Sequence, residues 1–317
     1  MMTATLNVFL QKYIALLTPL SLLLGVALHT LGENYLFAVP WLFAFMTFVG
    51  SLGMRARDVK VFTRYPKTIL LSIAFLHILM PLFAYIVAIT LFNDAMLTVG
   101  FVMAVAVPTG VTSVIWVTVC KGNLPLALAI ILIDTLLAPI IMPTLLHIIV
   151  GAAIEVNTAG LLIDLLWMIV LPTLLGIVLN EVTKGRIQTQ WSPKLAPFSK
   201  LALFAVVFIN GSAISPYIKE PTWELAGIIA TVLLVSVTGY TFAYVAGRLL
   251  YKKQPDVATT FMFIGGMRNI SVGVVIATSY FPAKVAMPVV FGMLFQQILA
   301  STFSKLTKPP LQTTATA

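Results

Sequence analysis

Charged side chains are scarce in this sequence of 317 residues. Asp, Glu, Lys and Arg make up 9% of it, whereas apolar residues make up 60%. A soluble domain carries about 25% charged residues, so this composition excludes an ordinary soluble enzyme, a disordered chain and a nucleic-acid-binding module. The mean hydropathy of +1.04 indicates an all-α protein that crosses a membrane several times. A β-barrel is disfavoured because the apolar runs are long and unbroken.

Cysteine and the common catalytic motifs are lacking too. The single cysteine, Cys120, excludes an internal disulfide and a cysteine cluster for a metal. We find no nucleotide-binding loop, metal-ligand cluster or hydrolase motif, and therefore expect neither an enzyme nor a bound cofactor. No small-residue cleavage site follows the first apolar run, so we expect no cleavable signal peptide.

Apolar runs long enough to cross a bilayer, which takes about 20 residues, occur ten times. The loops between them are short, so we expect one transmembrane domain over 1–317 with no inserted soluble domain. The predicted spans are 12–31, 36–54, 67–92, 96–120, 123–150, 157–180, 196–215, 223–247, 255–280 and 283–304.

Positive charges fall mainly on one side of these spans. Of the 19 Lys and Arg, all except Lys219, Lys284 and Arg268 lie on the side that holds both termini. The positive-inside rule places that side in the cytoplasm. We therefore expect a multi-pass protein of the cell membrane with cytoplasmic N- and C-termini. The net charge of +9 then reflects topology and predicts no nucleic-acid partner.

The span count also divides into two halves that would face opposite ways. The first repeat covers about 1–150, the second covers about 157–304, and 305–317 form a short cytoplasmic tail. Two inverted five-helix repeats are a recurrent architecture of transporters.

The fourth span of each half contains residues that interrupt a helix. Span 4 carries Pro108, which removes a backbone donor and disfavours helix before it, and Gly110. Span 9 carries Gly265 and Gly266, which weaken a helix. Half-helix N-termini offer free N–H groups and a positive dipole end to anions. Paired breaks in corresponding helices therefore indicate the substrate site of a transporter.

Polar residues flank both breaks and are the candidate substrate contacts. Thr109, Thr112 and Ser113 follow the first break, and Arg268 and Asn269 follow the second. Serine and threonine in a helix often bond back to their own helix instead.

At these breaks the sequence resembles the bile acid:sodium symporter family. Pro108, Gly110 and Ser113 match the Pro-x-Gly-x-x-Ser segment of its span 4, and residues 266–269 match the Gly-Met-Gln-Asn segment of its span 9. The resemblance covers nearly the whole chain. It implies a core of spans 3–5 and 8–10, in which helices 4 and 9 cross, and a panel of spans 1, 2, 6 and 7. It also implies uptake of an organic anion, commonly coupled to sodium.

The resemblance further implies oxygen ligands for two sodium ions in spans 3, 4, 5 and 9. Ser113 is retained as a possible sodium ligand, and Asn269 is retained beside the crossover. The other positions of the family's side-chain ligands hold Leu76, Val114, Ala127, Ile131, Ile264 and Arg268 in this sequence. Hard cations need oxygen ligands, so we expect weak or absent sodium dependence.

Two charged residues, Asp134 and Arg268, lie deep inside spans, where charges are costly and usually paired. Asp134 shares a helix face with Ala127 and Ile131. We hypothesise that Arg268 supplies a positive charge where relatives bind a cation, with Asp134 as its partner. Three interpretations stay open: Arg268 binds a substrate carboxylate, Asp134 takes up a proton and frees Arg268, or the two form a static pair. His77 is a candidate proton carrier or a satisfied core histidine.

These observations predict a secondary active transporter that moves a small organic anion by alternating access. The substrate would bind where helices 4 and 9 cross, and the coupling ion would be Na⁺ or H⁺. Alternatives are a proton-coupled or uncoupled facilitator or exporter and, in a different class, a receptor built on a transporter fold. The expected partners are the organic-anion substrate and the lipid bilayer, with no obligate protein partner.

Overall fold

The computed structural model describes residues 2–56, 60–150, 157–218 and 222–307, which are helical apart from connecting loops and one isolated β-bridge. The first half contains α1 (Met2–Ala27), α2 (Val39–Ser51), α3 (Pro66–Phe92), α4a (Ala95–Ala106), α4b (Ser113–Val119) and α5 (Leu124–Val150). The second half contains α6 (Ala159–Val182), α7 (Ser192–Ile218), α8 (Trp223–Leu250), α9a (Pro255–Gly266), α9b (Ile270–Tyr280) and α10 (Ala283–Thr307). Short helices are His29–Glu33, Leu36–Ala38, Val61–Arg64 and Arg186–Gln190.

The predicted all-α, multi-span fold is confirmed. Each predicted range overlaps one of the helices α1 to α10, or two half-helices for spans 4 and 9, whereas the count of ten membrane spans stays a prediction. The inverted relation between the two halves stays a prediction. Lys219 and residues 308–317 of the predicted tail lie outside the described residues.

Helix length and apolar composition make this an integral membrane protein. Within the described residues, α3, α5, α6, α7, α8 and α10 are each long and apolar enough to cross a bilayer, and α1 adds a seventh span if its bent halves count together. Large apolar side chains such as Leu23, Ile148 and Trp167 are more than half exposed. Their exposure fits a surface that contacts lipid rather than water.

Two prolines locally widen otherwise continuous helices. Pro81 follows the π-helical turn Phe75–Leu79 in α3, and Pro172 follows the turn Leu166–Val170 in α6. A proline cannot donate to the carbonyl four residues earlier, and its ring clashes with that carbonyl. In both helices that carbonyl belongs to the π turn, so the wider turn accommodates the proline. The turn in α3 carries His77.

The helices pack as two groups. α1, α2, α6 and α7 pack mainly with one another, and α1 and α7 make the most extensive pairing. α3, α4a, α8, α9a, α9b and α10 form a second group, which α5 and α4b complete. This division matches the panel and the core that the resemblance implies, and we use those two names for the groups.

Several loops meet at one end of the bundle. Asn123, at the start of α5, donates to Tyr65 at 3.5 Å and to Asp256 at 3.0 Å, and the Ala56 N–H donates to Glu181 at 3.1 Å. We call this end the basic-loop side: it contains 52–56, 60–65, 120–123, 183–191 and 251–254, where many of the lysines and arginines lie.

Candidate functional site

The two broken helices cross at their breaks and complete each other's backbone hydrogen bonds. α4a ends at Ala106 and α9a ends at Gly266, and Thr109 and Arg268 then pair as an isolated antiparallel bridge. The Gly110 N–H donates to the Met267 carbonyl at 3.3 Å, and the Asn269 N–H donates to the Pro108 carbonyl at 2.7 Å. Backbone groups freed inside a membrane need such partners. The crossover is therefore a built element and not a pair of loose kinks.

Close contact between helices explains why glycine occupies positions in and before the breaks, and it corrects one prediction. A Cβ atom on Gly110 would lie 2.9 Å from the Arg268 carbonyl oxygen, so the two breaks touch only because Gly110 has no side chain. Gly265 and Gly266 do not form the second break, because α9a continues through both. A Cβ on Gly266 would lie 2.3 Å from the Tyr240 ring of α8. These two glycines allow close helix packing, and the break itself covers 267–269.

Thr109 holds the crossover together through its hydroxyl and its backbone N–H. Its hydroxyl donates to the carbonyls of Ile264 at 3.0 Å and Met267 at 3.1 Å, at the C-terminal end of α9a. Its N–H donates to Asp134 Oδ2 at 2.6 Å. Thr109 is 1% exposed and does not line the cavity described below, so its predicted contact with substrate stays a prediction.

Asp134 pairs with His77 and not with Arg268. Asp134 Oδ1 lies 2.5 Å from His77 Nε2, and Oδ2 accepts the Thr109 N–H. Both carboxylate oxygens are therefore satisfied, and the side chain is fully buried. No ion pair within 4.0 Å joins Asp134 to Arg268 among the described residues. The expected direct pair is thus replaced by a His–Asp pair that joins α3 to α5 and to the crossover.

Arg268 has an incompletely satisfied side chain. Its backbone N–H donates to Gln296 Oε1 of α10 at 2.9 Å, but its guanidinium Nη1 is buried without a hydrogen-bond partner. The residue is 5% exposed and lies near the charge of Asp134 and the hydroxyl of Tyr240. A buried guanidinium with a free donor is a binding group for a carboxylate, which its planar fork matches.

A cavity of about 160 Å³ adjoins the crossover between the panel and the core. Among the described residues that line it, Arg268 is the only charged one. Its polar lining is Thr18, Thr47, Thr112, Ser199, Asn269, Ser271, Gln296 and Gln297, and its apolar lining includes Phe43, Met46, Leu203, Val207 and Met293. An apolar pocket with a few convergent polar groups is typical of a small-molecule site.

The cavity contains three of the five predicted substrate contacts. Thr112, Arg268 and Asn269 line it, whereas Ser113 is fully buried with an unpartnered hydroxyl and does not. Gln296 and Gln297 line it as well, and the sequence signal for them was a pair of amides inside an apolar helix. Thr18 and Thr47, from the panel, carried no signal of this kind.

The cavity extends toward the basic-loop side, whereas the opposite half is packed shut. There one apolar cluster includes panel residues such as Leu161 and Ile214 together with core residues such as Ile276 and Phe281. On this sealed side the Tyr280 hydroxyl of α9b also donates to Asp164 of α6 at 2.5 Å. The panel and the core thus touch on one side of the crossover and leave a space on the other.

A charged cluster ties the core together at the sealed end. Asp94 caps α4a by accepting the Leu97 N–H at 2.9 Å, and it pairs with Lys284 at 2.8 Å. Lys284 also contacts Glu224 of α8 at 3.1 Å. Partial burial alone would raise the pKa of Asp94, but the hydrogen bonds from Lys284 and Leu97 outweigh it and hold the pKa below the ordinary value of 3.8.

Most positions that the resemblance implies for side-chain sodium ligands hold hydrocarbon side chains. Leu76, Ala127, Ile131 and Ile264 are all fully buried members of one apolar cluster, and Val114 packs against it. Hydrocarbon side chains offer no oxygen to a hard cation. The described residues also hold no group of three or more His, Cys, Asp or Glu that could bind a metal ion. The oxygen of Ser113 remains, without other side-chain oxygens at those positions.

Comparison with known proteins gives consistent matches. The model of the sodium bile acid symporter family matches residues 39–221. The uncharacterized protein YbaS of Bacillus subtilis is 43% identical over 303 residues, which cover 94% of this chain and 99% of YbaS. The uncharacterized sodium-dependent transporter YocS of the same organism is 24% identical, over 89% of this chain and 90% of YocS. The probable sodium/metabolite cotransporter BASS1 of Arabidopsis thaliana is 27% identical, over 78% of this chain and 61% of BASS1.

Proposed function

The chain belongs to the sodium bile acid symporter family and is a membrane transporter, and we propose that it carries a small organic monoanion bound beside Arg268. The observation that carries this proposal is the crossover cavity, which Arg268 lines as its only charged residue among those described, together with the incompletely satisfied guanidinium of that residue. An anion would complete the hydrogen bonds of Arg268, whereas a cationic substrate would meet its charge. Half-helix ends at the crossover add a favourable field for an anion.

Size and charge limit the substrate. A cavity of about 160 Å³ resembles in volume an engineered cavity that holds benzene, so a sterol acid does not fit this conformation. One cation compensates one carboxylate, and a second buried carboxylate would need another partner. The hydroxyls and amides of the lining suit oxygen substituents. We therefore favour monocarboxylates of about three to six carbons, with hydroxyl or keto groups.

The arrangement of the panel and the core supports a mechanism of alternating access. The panel and the core are in contact on the sealed side and apart on the basic-loop side. Rocking of the two groups about the crossover would exchange the open side and expose Arg268 to the other compartment. We propose a plasma-membrane location, with both termini and the open side of this conformation in the cytoplasm. The substrate and the bilayer are the partners that this mechanism requires, with no obligate protein partner.

Sodium is not the coupling ion we propose. The names of YocS and BASS1 describe those proteins as sodium-dependent or sodium-coupled, which supports ion coupling in the family. In this chain most of the corresponding positions hold apolar side chains, and Arg268 occupies another. We propose that transport proceeds with little or no dependence on sodium.

A ligand screen with a matched pair of variants tests this function. The purified protein is heated with lactate, pyruvate and their longer homologues, in sodium and in choline salts. A ligand at about 100 times its dissociation constant stabilises the folded state by about 2.7 kcal/mol. We expect at least one acid to raise the melting temperature equally in both salts. Arg268→Gln should abolish the shift, and the control Arg248→Gln, which lies outside the cavity, should keep it.

Uptake of the same radiolabelled acid into proteoliposomes completes the test. Uptake should require Arg268 and proceed when choline replaces sodium. The proposal fails if no small monocarboxylate binds, or if Arg268→Gln binds and transports as the unmodified protein does.

A further inference from the structure

The buried His77–Asp134 pair has no role in the substrate site described above. Its two groups meet at 2.5 Å, and neither side chain lines the crossover cavity. The Nδ1 atom of His77 is buried without a partner. The π turn of α3 presents His77 to Asp134, and such turns are frequent at functional sites. A buried, costly pair of titratable groups on the crossover itself calls for an explanation beyond packing.

The charges around the crossover balance only until an anion binds. With neutral His77, ionised Asp134 and cationic Arg268 compensate each other across the crossover. A monoanion on Arg268 would leave two negative charges against one positive charge in a buried region. An uncompensated buried charge is strongly disfavoured. Uptake of a single proton would restore neutrality.

We propose that the His77–Asp134 pair is a proton-binding site and that one proton travels with each anion. This inference rests on the proposed function, because it assigns the coupling ion of that same substrate site. The proton adds between His77 Nε2 and Asp134 Oδ1 on one side of the membrane and leaves from there on the other. No bond to the substrate forms or breaks, and the complex of one proton and one monoanion moves no net charge.

Thr109 provides the mechanical link between the proton and the crossover. Its N–H donates to the carboxylate of Asp134, and its hydroxyl holds the end of α9a. An N–H bonds more strongly to a charged carboxylate than to a neutral one. Protonation of the pair therefore weakens the hold of α5 on Thr109, whose backbone pairs with Arg268. Proton and anion thus act on the same short segment from opposite sides.

Few other ionisable groups face the pair among the described residues. Tyr85 of α3 lines the same outer groove as His77, Arg268 of the crossover lies near Asp134, and Tyr240 of α8 lies near Arg268. Asp256 of α9a bonds to Asn123, which is eleven residues from Asp134 and so about 16 Å away along α5. Cys120 ends α4b near Ser304 of α10. Within this environment, the His77–Asp134 pair is therefore the acceptor that we assign to the proton.

Calorimetry on the full-length protein measures the proton directly. The acid found in the screen is titrated in buffers of different ionisation enthalpy, which gives the number of protons taken up per anion bound. We expect an uptake of about one, and an affinity that weakens about tenfold per pH unit above the midpoint of the pair. Asp134→Asn keeps an acceptor for Thr109 and a partner for His77. It should bind the acid with no proton uptake and with an affinity independent of pH.

Three further measurements keep the inference testable, including the case in which that variant misfolds or no acid binds. His77→Gln should likewise lose proton uptake, whereas Asp164→Asn, a carboxylate outside the cavity, should keep it. Without any acid, ¹⁵N spectra of histidine-labelled protein should show His77 titrating, with a titration that Asp134→Asn shifts and that His77→Gln removes. In proteoliposomes an inward proton gradient should accelerate uptake, while a potassium diffusion potential should leave its rate unchanged.

The outcomes separate this inference from the proposed function. Binding of the acid without proton uptake, or uptake that depends on sodium and not on pH, overturns the proton site and leaves the substrate site standing. Failure of every acid to bind overturns the proposed function, while the histidine titration still decides whether the pair takes up a proton. A His77 signal that does not change over the accessible pH range overturns the proton site.

Discussion

The two faces of the crossover differ in how completely their polar groups are satisfied. On the core face both oxygens of Asp134 have partners, the Thr109 hydroxyl holds two carbonyls, and apolar side chains pack around them. Of the polar groups named above on this face, Nδ1 of His77 and the hydroxyl of Ser113 lack partners. On the panel face, amides and hydroxyls surround a space that Arg268 also lines, and Nη1 of this residue is without a partner. One break region thus has a filled side and an open side.

This difference separates the residues that hold the crossover from those that receive a ligand. Satisfied, close-packed groups fix a geometry, because removal of one partner leaves another buried group without a hydrogen bond. Unsatisfied groups beside a cavity contribute little to the fold and gain a partner when a ligand arrives. Variants on the core face should therefore lose stability, and variants on the panel face should lose binding while the fold remains stable.

Asp134→Ala should have the largest effect. It leaves His77 Nε2 and the Thr109 N–H without their partner, and it removes the negative charge nearest to Arg268. Loss of one member of a buried pair costs about 3–5 kcal/mol. We expect a sharply reduced yield of monodisperse protein and a lower melting temperature in detergent. Asp164→Ala, on a partly exposed Asp–Tyr contact, serves as the control, and an equal loss in both variants would contradict the special role of Asp134.

Gly266→Ala should have the next largest effect on stability. The added Cβ would lie 2.3 Å from the ring of Tyr240, which is fully buried and stacked on Phe303 at 4.9 Å. A shift of the ring would disturb this buried packing, and overpacking costs about 1–3 kcal/mol. Gly227→Ala on α8 is the matched control, because its nearest neighbour would be Phe92 at 3.6 Å.

The two alanine variants should change the melting temperature in opposite directions, because only one of them creates a clash. Without a clash, replacing glycine by alanine inside a helix gains up to about 1 kcal/mol. Gly227→Ala should therefore melt at the same temperature as the unmodified protein or slightly higher. Equal melting temperatures for both variants would show that α9a and α8 are not held in the close packing described above.

Thr109→Val should have a smaller effect, because the change keeps the shape and the backbone bond to Asp134. It removes the hydroxyl that donates to the Ile264 and Met267 carbonyls, at a cost of about 1–2 kcal/mol. Thr112→Val, on the open face, should leave the melting temperature unchanged and weaken only ligand binding. A reversal of this order would mean that the wrong threonine was assigned to the core face.

The sequence predicts much of the fold because its signals are local. Runs of apolar residues identify the spans, Pro108 identifies the first break, and the depth of Asp134 and Arg268 predicts their burial. Each of these inferences depends on residues within one helix. The panel and core division comes from the family resemblance, and the packing agrees with it.

Pairing between distant helices was less predictable. Helix periodicity identifies the face of α5 that carries Asp134, but the approach of His77 depends on a π turn before Pro81 in another helix. The glycines of span 9 were interpreted as helix breakers because the sequence does not show that Tyr240 packs against them. Likewise, the hydrogen bond that the Arg268 N–H donates to Gln296 depends on how α10 is aligned with the break at 267–269, which the sequence does not show.

Arg268→Gln should have the smallest effect on stability and is the sharpest test of the comparison. It removes a buried cation whose Nη1 has no partner, while the backbone bond to Gln296 and the bridge to Thr109 remain. Relief of the unpaired group, together with proton uptake by the His77–Asp134 pair once the compensating cation is gone, offsets the loss of a charge near Asp134. The folding free energy of the ligand-free protein should therefore change by less than about 1 kcal/mol. The same variant should lose the stabilisation by the organic acid. If it instead destabilises the free protein as much as Asp134→Ala does, Arg268 acts as a structural partner of Asp134, and the open face is not a ligand site.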